Sequence, residues 1–378
     1  MKRVGLVNRF YALSIIAVLA ALIVASAAQA SSAQASSIQT SSIQTSRTQT
    51  NSVQKPSTNT ASNGINTPDV STKPSIPNYE RVPGVAGKLS SVGSDTLANL
   101  MTFWSQEFKT LYPQVGFQIQ ASGSSTAPPA LIEGTATIGP MSRALKPSEI
   151  RDFINVHGYP PTVLKVAMDA IAIFVDRRNP LQGMTLENVD AIFSQTLYCG
   201  AEKQINRWSQ LGVDENGYRS PIRLYGRNSV SGTYGLFKVT ALCDGDFKNT
   251  VNEQPGSASV VLSVASGTGA IGYAAYGYKT AGVRALALGE TMNSLIPLSI
   301  DTVRDETYPF ARFLYLVVNK KPGEPLPTLE REFIRYILSQ QGQNQVIRDG
   351  YFPIREYVLL RQRRLLDDEK QSIGVASE

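Results

Sequence analysis

Short apolar strands alternate with amphipathic helices along most of the sequence, and this alternation limits the possible folds more than any other feature. Residues 170–175 (AIAIFV) lie within a long apolar run, 163–175, that is typical of a buried strand. Residues 97–111 instead place their apolar side chains near helical spacing. Alternation of this kind over such a length predicts an α/β fold, with helices layered on parallel sheets.

Three polar turns each join a predicted strand to a predicted helix. They are residues 93–96 (GSDT), 123–126 (GSST) and 227–233 (RNSVSGT). The first N–H groups of a helix lack internal partners and its dipole favours negative charge there, while Ser and Thr hydroxyls add further donors. Such turns lie at the carboxyl ends of strands, where α/β sheets bind ligands. If the three turns converge, they form a site for a small tetrahedral oxyanion, with Arg227 as its fixed cation. The alternative is that each turn only caps its helix.

The segments that carry these turns resemble the phosphate-binding proteins of Pst-type ABC transporters, a family of type II periplasmic binding proteins. The resemblance runs from about residue 88 to residue 353, and its most specific element is Arg-x3-Ser-Gly-Thr at 227–233. The other resembling segments are GSDTLANL at 93–100, GSSTAPPALIEG at 123–134, IGPMSR at 138–143 and QPGSASV at 254–260. The resemblance implies an α/β, two-lobed fold with two hinge crossovers. It also implies inorganic phosphate as ligand, ABC transporter permease subunits as partners and no cofactor.

The expected domain organisation has four parts. They are a signal peptide at 1–30, a disordered Ser/Thr/Gln-rich spacer at 31–87, a first lobe at 88–167 and 309–378, and a second lobe at 168–308. We expect the crossovers within 166–175 and near 308–313. Two lobes joined at a hinge would let the protein close over a ligand and release it.

The resemblance also implies phosphate-binding roles for Thr96, Leu97, Ser124, Arg227, Ser231, Gly232 and Thr233. We add three candidates where this chain departs from the family's pattern: Asp95 in the first turn, and Ser142 and Arg143 after the third strand. The family's archetype carries an aspartate in the turn after the third strand, where it accepts a hydrogen bond from protonated phosphate; this chain has Ser142 there. We predict that Asp95 takes over that role, because an acceptor-only carboxylate favours monohydrogen phosphate over sulfate. The alternative is that Asp95 only caps its helix.

The first thirty residues have the layout of a secretory signal peptide. Lys2, Arg3 and Arg9 form a basic region, 11–26 is apolar, and residues 28–30 (AQA) match a cleavage site. We therefore expect a periplasmic or secreted protein, with an uncleaved membrane anchor as the alternative. The segment that follows repeats SSIQT at 36–40 and 41–45 and has too little apolar surface to fold.

Charge and residue counts exclude other classes of protein. The formal net charge is +6, but the signal segment and spacer carry most of it and the remainder is close to neutral, which argues against a nucleic-acid partner. Cys199 and Cys243 are the two cysteines, and in an exported protein such a pair predicts a disulfide. With His157 as the single histidine we expect no metal site. We also expect a monomer.

Two other functions stay open. A secreted phosphatase related to phosphate-binding proteins is one enzyme alternative. A serine hydrolase is another; it would need His157 for a Ser–His–Asp triad, and that residue lies among glycine and prolines in a predicted loop. A surface adhesin is suggested only by the long spacer. The G-x-G-x-x-G pattern at 267–272 follows a predicted helix rather than a strand, so we interpret it as a turn. We predict a binding protein, not an enzyme.

Overall fold

The computed structural model describes residues 76–214 and 217–367. The predicted signal peptide and most of the predicted spacer lie outside the described residues. None of the helices in the described ranges has the length and apolar character needed to cross a bilayer.

Strands and helices alternate as predicted. The strands are β1 Gly87–Val92, β2 Val115–Gln120, β3 Ile138–Met141, β4 Thr162–Asp176, β5 Gly183–Thr185, β6 Arg223–Arg227, β7 Val251–Gln254, β8 Ala270–Ala275, β9 Val283–Ala285, β10 Ala287–Gly289 and β11 Ala311–Val318. The helices are α1 Ala98–Leu111, α2 Ala127–Ile132, α3 Pro147–His157, α4 Leu186–Phe193, α5 Gly232–Ala241, α6 Ser257–Ala265, α7 Ile300–Arg304, α8 Thr328–Ile337, α9 Gln340–Arg348 and α10 Glu356–Asp367.

The main sheet has the strand order β2-β1-β3-β11-β4-β8-β6-β7, with β9 also paired to β4. Strand β4 divides this sheet, because it changes partner along its length. Its residues up to Ala170 pair with β11, whereas its residues from Ile171 onward pair with β8 and β9. We call the strands β2, β1, β3 and β11 with the start of β4 the first half, and the end of β4 with β8, β6, β7 and β9 the second half.

The sheet is mixed, which corrects the prediction of parallel sheets. Pairs β1–β2, β1–β3, β6–β7 and β6–β8 are parallel, as strand–helix–strand units require. Strands β4 and β11 run antiparallel to their neighbours. The physical reason is that β4 carries the chain out of the first half and β11 carries it back, so the two run in opposite directions.

The folded part begins earlier than predicted, since the end of the expected spacer is ordered. Ile76, Tyr79 and Val82 pack against the main core, and the Tyr79 hydroxyl lies 2.8 Å from the Tyr112 hydroxyl. Val85 is buried just before β1. A few apolar residues therefore hold residues 76–87 against the main core. They were assigned to the spacer because the sequence before them is polar.

Cys199 and Cys243 form the predicted disulfide, across 44 positions of sequence. The bond links the segment after α4 to the segment after α5. This prediction is confirmed.

Candidate functional site

The first polar turn follows β1 and enters α1 through a short 3-10 turn, Asp95–Leu97. Ser94 caps this turn, because its Oγ accepts a hydrogen bond from the Thr96 N–H at 3.2 Å. A side chain at Gly93 would collide with the carbonyl oxygen of Pro140, so glycine is needed for the close approach of β3. Since Ser94 is the cap, the alternative that Asp95 serves only as a helix cap is wrong.

The second polar turn follows β2 and enters α2 through the 3-10 turn Ser124–Thr126. Gly123 has φ +127°, and a side chain there would lie 2.7 Å from the carbonyl oxygen of Val230. The Ser125 N–H donates to that same carbonyl at 3.2 Å. The second turn is therefore held against the third turn, which belongs to the other half of the sheet.

The third polar turn follows β6 and enters α5. Ser231 caps this helix, with its Oγ accepting from the Thr233 N–H at 3.1 Å. Gly232, the first residue of the helix, faces the other half of the sheet: an added Cβ would lie 2.6 Å from Ser142 Oγ and closer still to Ser124 Oγ. The backbone at Gly232 therefore meets hydroxyls from the first half directly.

Side-chain hydroxyls from these turns, together with that of Ser142 just after β3, form one buried group, which we call the hydroxyl cluster. Its members are Ser94, Thr96, Ser124, Ser142, Ser231 and Thr233. Ser94 Oγ donates to Ser142 Oγ at 3.0 Å, and Ser142 Oγ lies 3.2 Å from Ser124 Oγ. Thr96 Oγ1 lies 3.3 Å from Thr233 Oγ1, a contact between the halves. The cluster thus concentrates donors that can each turn toward a small anion.

Arg227 and Asp95 form a buried ion pair beside the cluster. Arg227 Nη2 lies 2.7 Å from Asp95 Oδ1, and Arg227 is 1% exposed. Arg227 also donates to Ser257 Oγ at 3.1 Å and to the carbonyl of Pro255 at 2.9 Å. The second carboxylate oxygen of Asp95 accepts the Ser257 N–H at 3.4 Å, at the start of α6. The positive charge of Arg227 is therefore balanced by Asp95.

The guanidinium of Arg143 is paired with Glu149 rather than directed at the cluster. Its Nη1 and Nη2 donate to the two Glu149 oxygens at 2.8 and 2.6 Å. Nη2 also donates to Ser125 Oγ at 3.1 Å, which supports the second turn. Leu97, another predicted site residue, has a fully buried side chain, and its N–H already donates to the Ser94 carbonyl at 3.3 Å.

Asp169 on β4 and Arg312 on β11 form a second buried ion pair, which was not predicted from the sequence. Arg312 Nη2 lies 2.7 Å from Asp169 Oδ2, and Arg312 Nη1 donates to the Ser142 carbonyl at 3.0 Å. Burial raises the pKa of Asp169, whereas the charge and hydrogen bonds of Arg312 oppose that rise. An aspartate inside the apolar run of β4 was the signal that could have revealed this pair.

His157 has no place in the cluster. It ends helix α3, which corrects the prediction that it lies in a loop, and its ring packs against Phe153 and Tyr159. Its Nδ1 lies 3.4 Å from the amide of Asn319. In the described part of the chain, no group of three or more His, Cys, Asp or Glu side chains is arranged to hold a metal ion.

Comparison with known sequences decides the family. A PBP superfamily domain matches residues 27–341. The phosphate-binding protein PstS of Pseudomonas aeruginosa is 53% identical over 282 residues, which cover 74% of this chain and 87% of that protein. This chain belongs to the PstS family of phosphate-binding proteins.

Solved structures agree with the PstS assignment. A structure from Clostridium perfringens, assigned as a phosphate ABC transporter substrate-binding protein with bound phosphate, has a TM-score of 0.59 and 25% identity. It covers 71% of this chain and 100% of its own. An ABC-type phosphate transport receptor from Vibrio cholerae has a TM-score of 0.54 at 21% identity, covers 70% of this chain and 99% of its own, and supports the fold. The predicted two-lobed α/β fold of the PstS family is confirmed.

Proposed function

We propose that this chain captures inorganic phosphate between two lobes and delivers it to an ABC transporter. The first lobe comprises 88–167 and 309–378, and the second comprises 168–308. The pairing of β4 supports this division, since β4 changes partner between Ala170 and Ile171. The named relative from P. aeruginosa supports the ligand.

The observation that carries the proposal is the meeting of hydroxyls from both halves of the sheet. The hydroxyls of Ser124 and Ser142 come from one half and that of Thr233 from the other, and all three residues are buried. The backbone at Gly232 approaches the two serines directly. Such donors replace the hydration shell of a tetrahedral anion from several directions. We assign direct contacts to the hydroxyls of the cluster and to the N–H groups at the start of each helix.

The charges around the cluster favour a neutral cage of donors over a positively charged pocket. Arg227 is paired with Asp95, Arg143 with Glu149 and Arg312 with Asp169. We assign Arg227 as the cation that contacts the anion, since it is the one whose carboxylate partner comes from the opposite half. Arg143 then supports the second turn without touching the ligand.

Asp95 is the acceptor that we assign to selectivity. Its carboxylate belongs to the first turn and pairs with Arg227, and its side chain keeps 12% of its surface exposed while Arg227 is almost fully covered. A carboxylate accepts a hydrogen bond from monohydrogen phosphate but repels sulfate, which carries no proton at neutral pH.

The N-terminal segment and the disulfide indicate where the protein works. We propose that residues 1–30 are a signal peptide, that the spacer ends before residue 76, and that the folded part works in the periplasm or after secretion. The disulfide between Cys199 and Cys243 supports an oxidising compartment. The near-neutral charge of the folded part supports action without nucleic acid. We also propose that the protein acts as a monomer.

Calorimetric titration with phosphate, arsenate and sulfate tests the proposal. We expect tight binding of phosphate, weaker binding of sulfate and no release of product from a chromogenic phosphate ester. The family consists of solute-binding proteins, so turnover of the ester would favour the secreted phosphatase instead. Absence of phosphate binding, together with attachment to a surface through the spacer, would favour an adhesin.

A further inference from the structure

Asp169 and Arg312 lie directly opposite each other where the two halves of the sheet meet. They are paired residues of β4 and β11, and the next residue pair, Ala170 with Ala311, is the last before β4 changes partner. Asp169 is 0% and Arg312 5% exposed. The pair therefore lies where both crossing strands pass between the halves.

The two residues have hydrogen-bond partners in both halves. Arg312 donates through Nε and Nη2 to Asp169 Oδ2, at 3.0 and 2.7 Å, while its Nη1 donates to the carbonyl of Ser142 at 3.0 Å. The other oxygen of Asp169 accepts the N–H of Tyr276, at the end of β8, at 3.1 Å. One continuous set of contacts thus joins the hydroxyl cluster to the second half.

The contacts continue from Tyr276 back to Asp95 in the first polar turn. Tyr276 begins a 3-10 turn, Tyr276–Tyr278, whose last residue donates its hydroxyl to the carbonyl of Asp95 at 2.8 Å. Asp95 is in turn paired with Arg227. Burial raises the pKa of Tyr278, so its hydroxyl remains a donor at neutral pH. Ser142 and Asp95, on separate turns, are therefore linked through the hinge.

A role in stability alone does not explain this pair well. A buried ion pair gains little over apolar side chains of the same size, because removing two charges from water offsets their attraction. Apolar residues in these positions would not hold the Ser142 carbonyl or the Tyr276 N–H. What the charged pair adds is a fixed geometry between the two halves.

We propose that Asp169 and Arg312 are positioning residues that couple closure of the lobes to the placement of Ser142. When the second half rotates about the crossing strands, the Tyr276 N–H moves relative to Asp169, and Arg312 passes that displacement to the turn that carries Ser142. This proposal rests on the proposed function, since the coupled event is closure around phosphate.

The variant Arg312→Lys tests the coupling. Lysine keeps the positive charge beside Asp169, but a single ammonium lacks the planar fork that reaches both Asp169 and the Ser142 carbonyl. We expect phosphate affinity to fall about tenfold or more, in the range usual for coupled sites, with a nearly unchanged unfolding midpoint. We also expect phosphate to reduce the radius of gyration, measured by small-angle X-ray scattering, by less than in the parent.

Glu332→Gln is the matched control. Glu332 is also buried and paired with arginines, Arg331 and Arg335, but it lies on α8 and contacts Tyr79 rather than the hinge. This variant should lose stability and bind phosphate as the parent does.

The possible outcomes distinguish a failure of the proposed function from a failure of the proposed coupling. A parent protein that does not bind phosphate removes the proposed function, and the coupling with it. A parent that binds and an Arg312→Lys variant with the same affinity and the same contraction remove the coupling alone. If Arg312→Lys does not fold, Asp169→Asn, which keeps an acceptor for Tyr276, undergoes the same two measurements. If neither variant folds, the pair serves the fold itself and the coupling is rejected.

Discussion

Asp95 and Arg227, which are 132 positions apart in sequence, form a buried ion pair with 2.7 Å between Oδ1 and Nη2. Asp95 belongs to the turn after β1 and Arg227 to the end of β6, so the pair joins the two halves of the sheet beside the hydroxyl cluster. The consequence is that the cation is already compensated, and an arriving anion gains from oriented hydroxyl and N–H donors more than from net charge.

Arg227→Ala should weaken phosphate binding by about 2–5 kcal/mol, because it removes a charged donor from a buried site and leaves Asp95 without its partner. The double variant Asp95→Asn/Arg227→Ala should lose less than the sum of the two single changes, since the stranded carboxylate is gone. Titration calorimetry on all four proteins measures the coupling. Affinity equal to the parent in Arg227→Ala would place Arg227 outside the site.

Asp95→Asn should raise sulfate binding relative to phosphate binding. The amide has nearly the same shape and keeps one acceptor for Arg227, but its NH2 group donates where the carboxylate could only accept. Ser94 still caps the 3-10 turn, so the cap is preserved. Paired titrations with the two anions at neutral pH measure the ratio. If the ratio stays that of the parent, discrimination comes from a group other than Asp95.

Gly232→Ala should weaken phosphate binding by about 1–3 kcal/mol, the usual cost of overpacking, because its new methyl group would press on Ser124 and Ser142. Gly235→Ala is the control on the same helix: its nearest neighbour would be Arg143 Cδ at 3.7 Å, an ordinary contact. The control should bind as the parent does and gain about 0.5–1 kcal/mol of stability. Equal affinities of the two variants would show that Gly232 does not lie at the closing surface.

Asp349→Asn should stabilise the protein above neutral pH and have much less effect near pH 5. Burial raises the pKa of Asp349 to about 7, with a hydrogen bond from Asn99 opposing the rise. The native protein therefore holds a proton that the unfolded chain has lost, and stability falls as pH rises from about 4 toward 7. Asparagine removes this loss. Denaturant unfolding of parent and variant at pH 5 and pH 8 measures it; an equal difference at both pH values would contradict the assignment.

Replacing both Cys199 and Cys243 with serine should lower the free energy of unfolding by roughly 3–4 kcal/mol, because the bond closes a loop of 44 positions in the unfolded chain. Phosphate affinity should remain that of the parent, since neither cysteine contacts the hydroxyl cluster. Denaturant unfolding and titration measure the two effects separately. A marked loss of affinity would mean that the disulfide also shapes the site.

The alternation of strands and helices, the three polar turns and the disulfide could all be predicted from the order of residues along the chain. Each depends on local pattern or on a count: apolar spacing, glycine with hydroxyl residues before a helix, or two cysteines in an exported chain. Local rules also identified the residues that converge, because turns at the carboxyl ends of strands meet at the edge of a sheet.

Which charged groups pair with one another could be seen only once the folded arrangement of the chain was known. Asp95 could be assigned as cap or acceptor from sequence, and its ion pair with Arg227 needed the approach of two distant strands. The same holds for Arg143, which pairs with Glu149, and for Asp169 with Arg312. The physical reason is that a charge can remain buried only beside a matching charge or donor. Where that partner lies depends on how separate segments pack, which the spacing of residues along the chain does not specify.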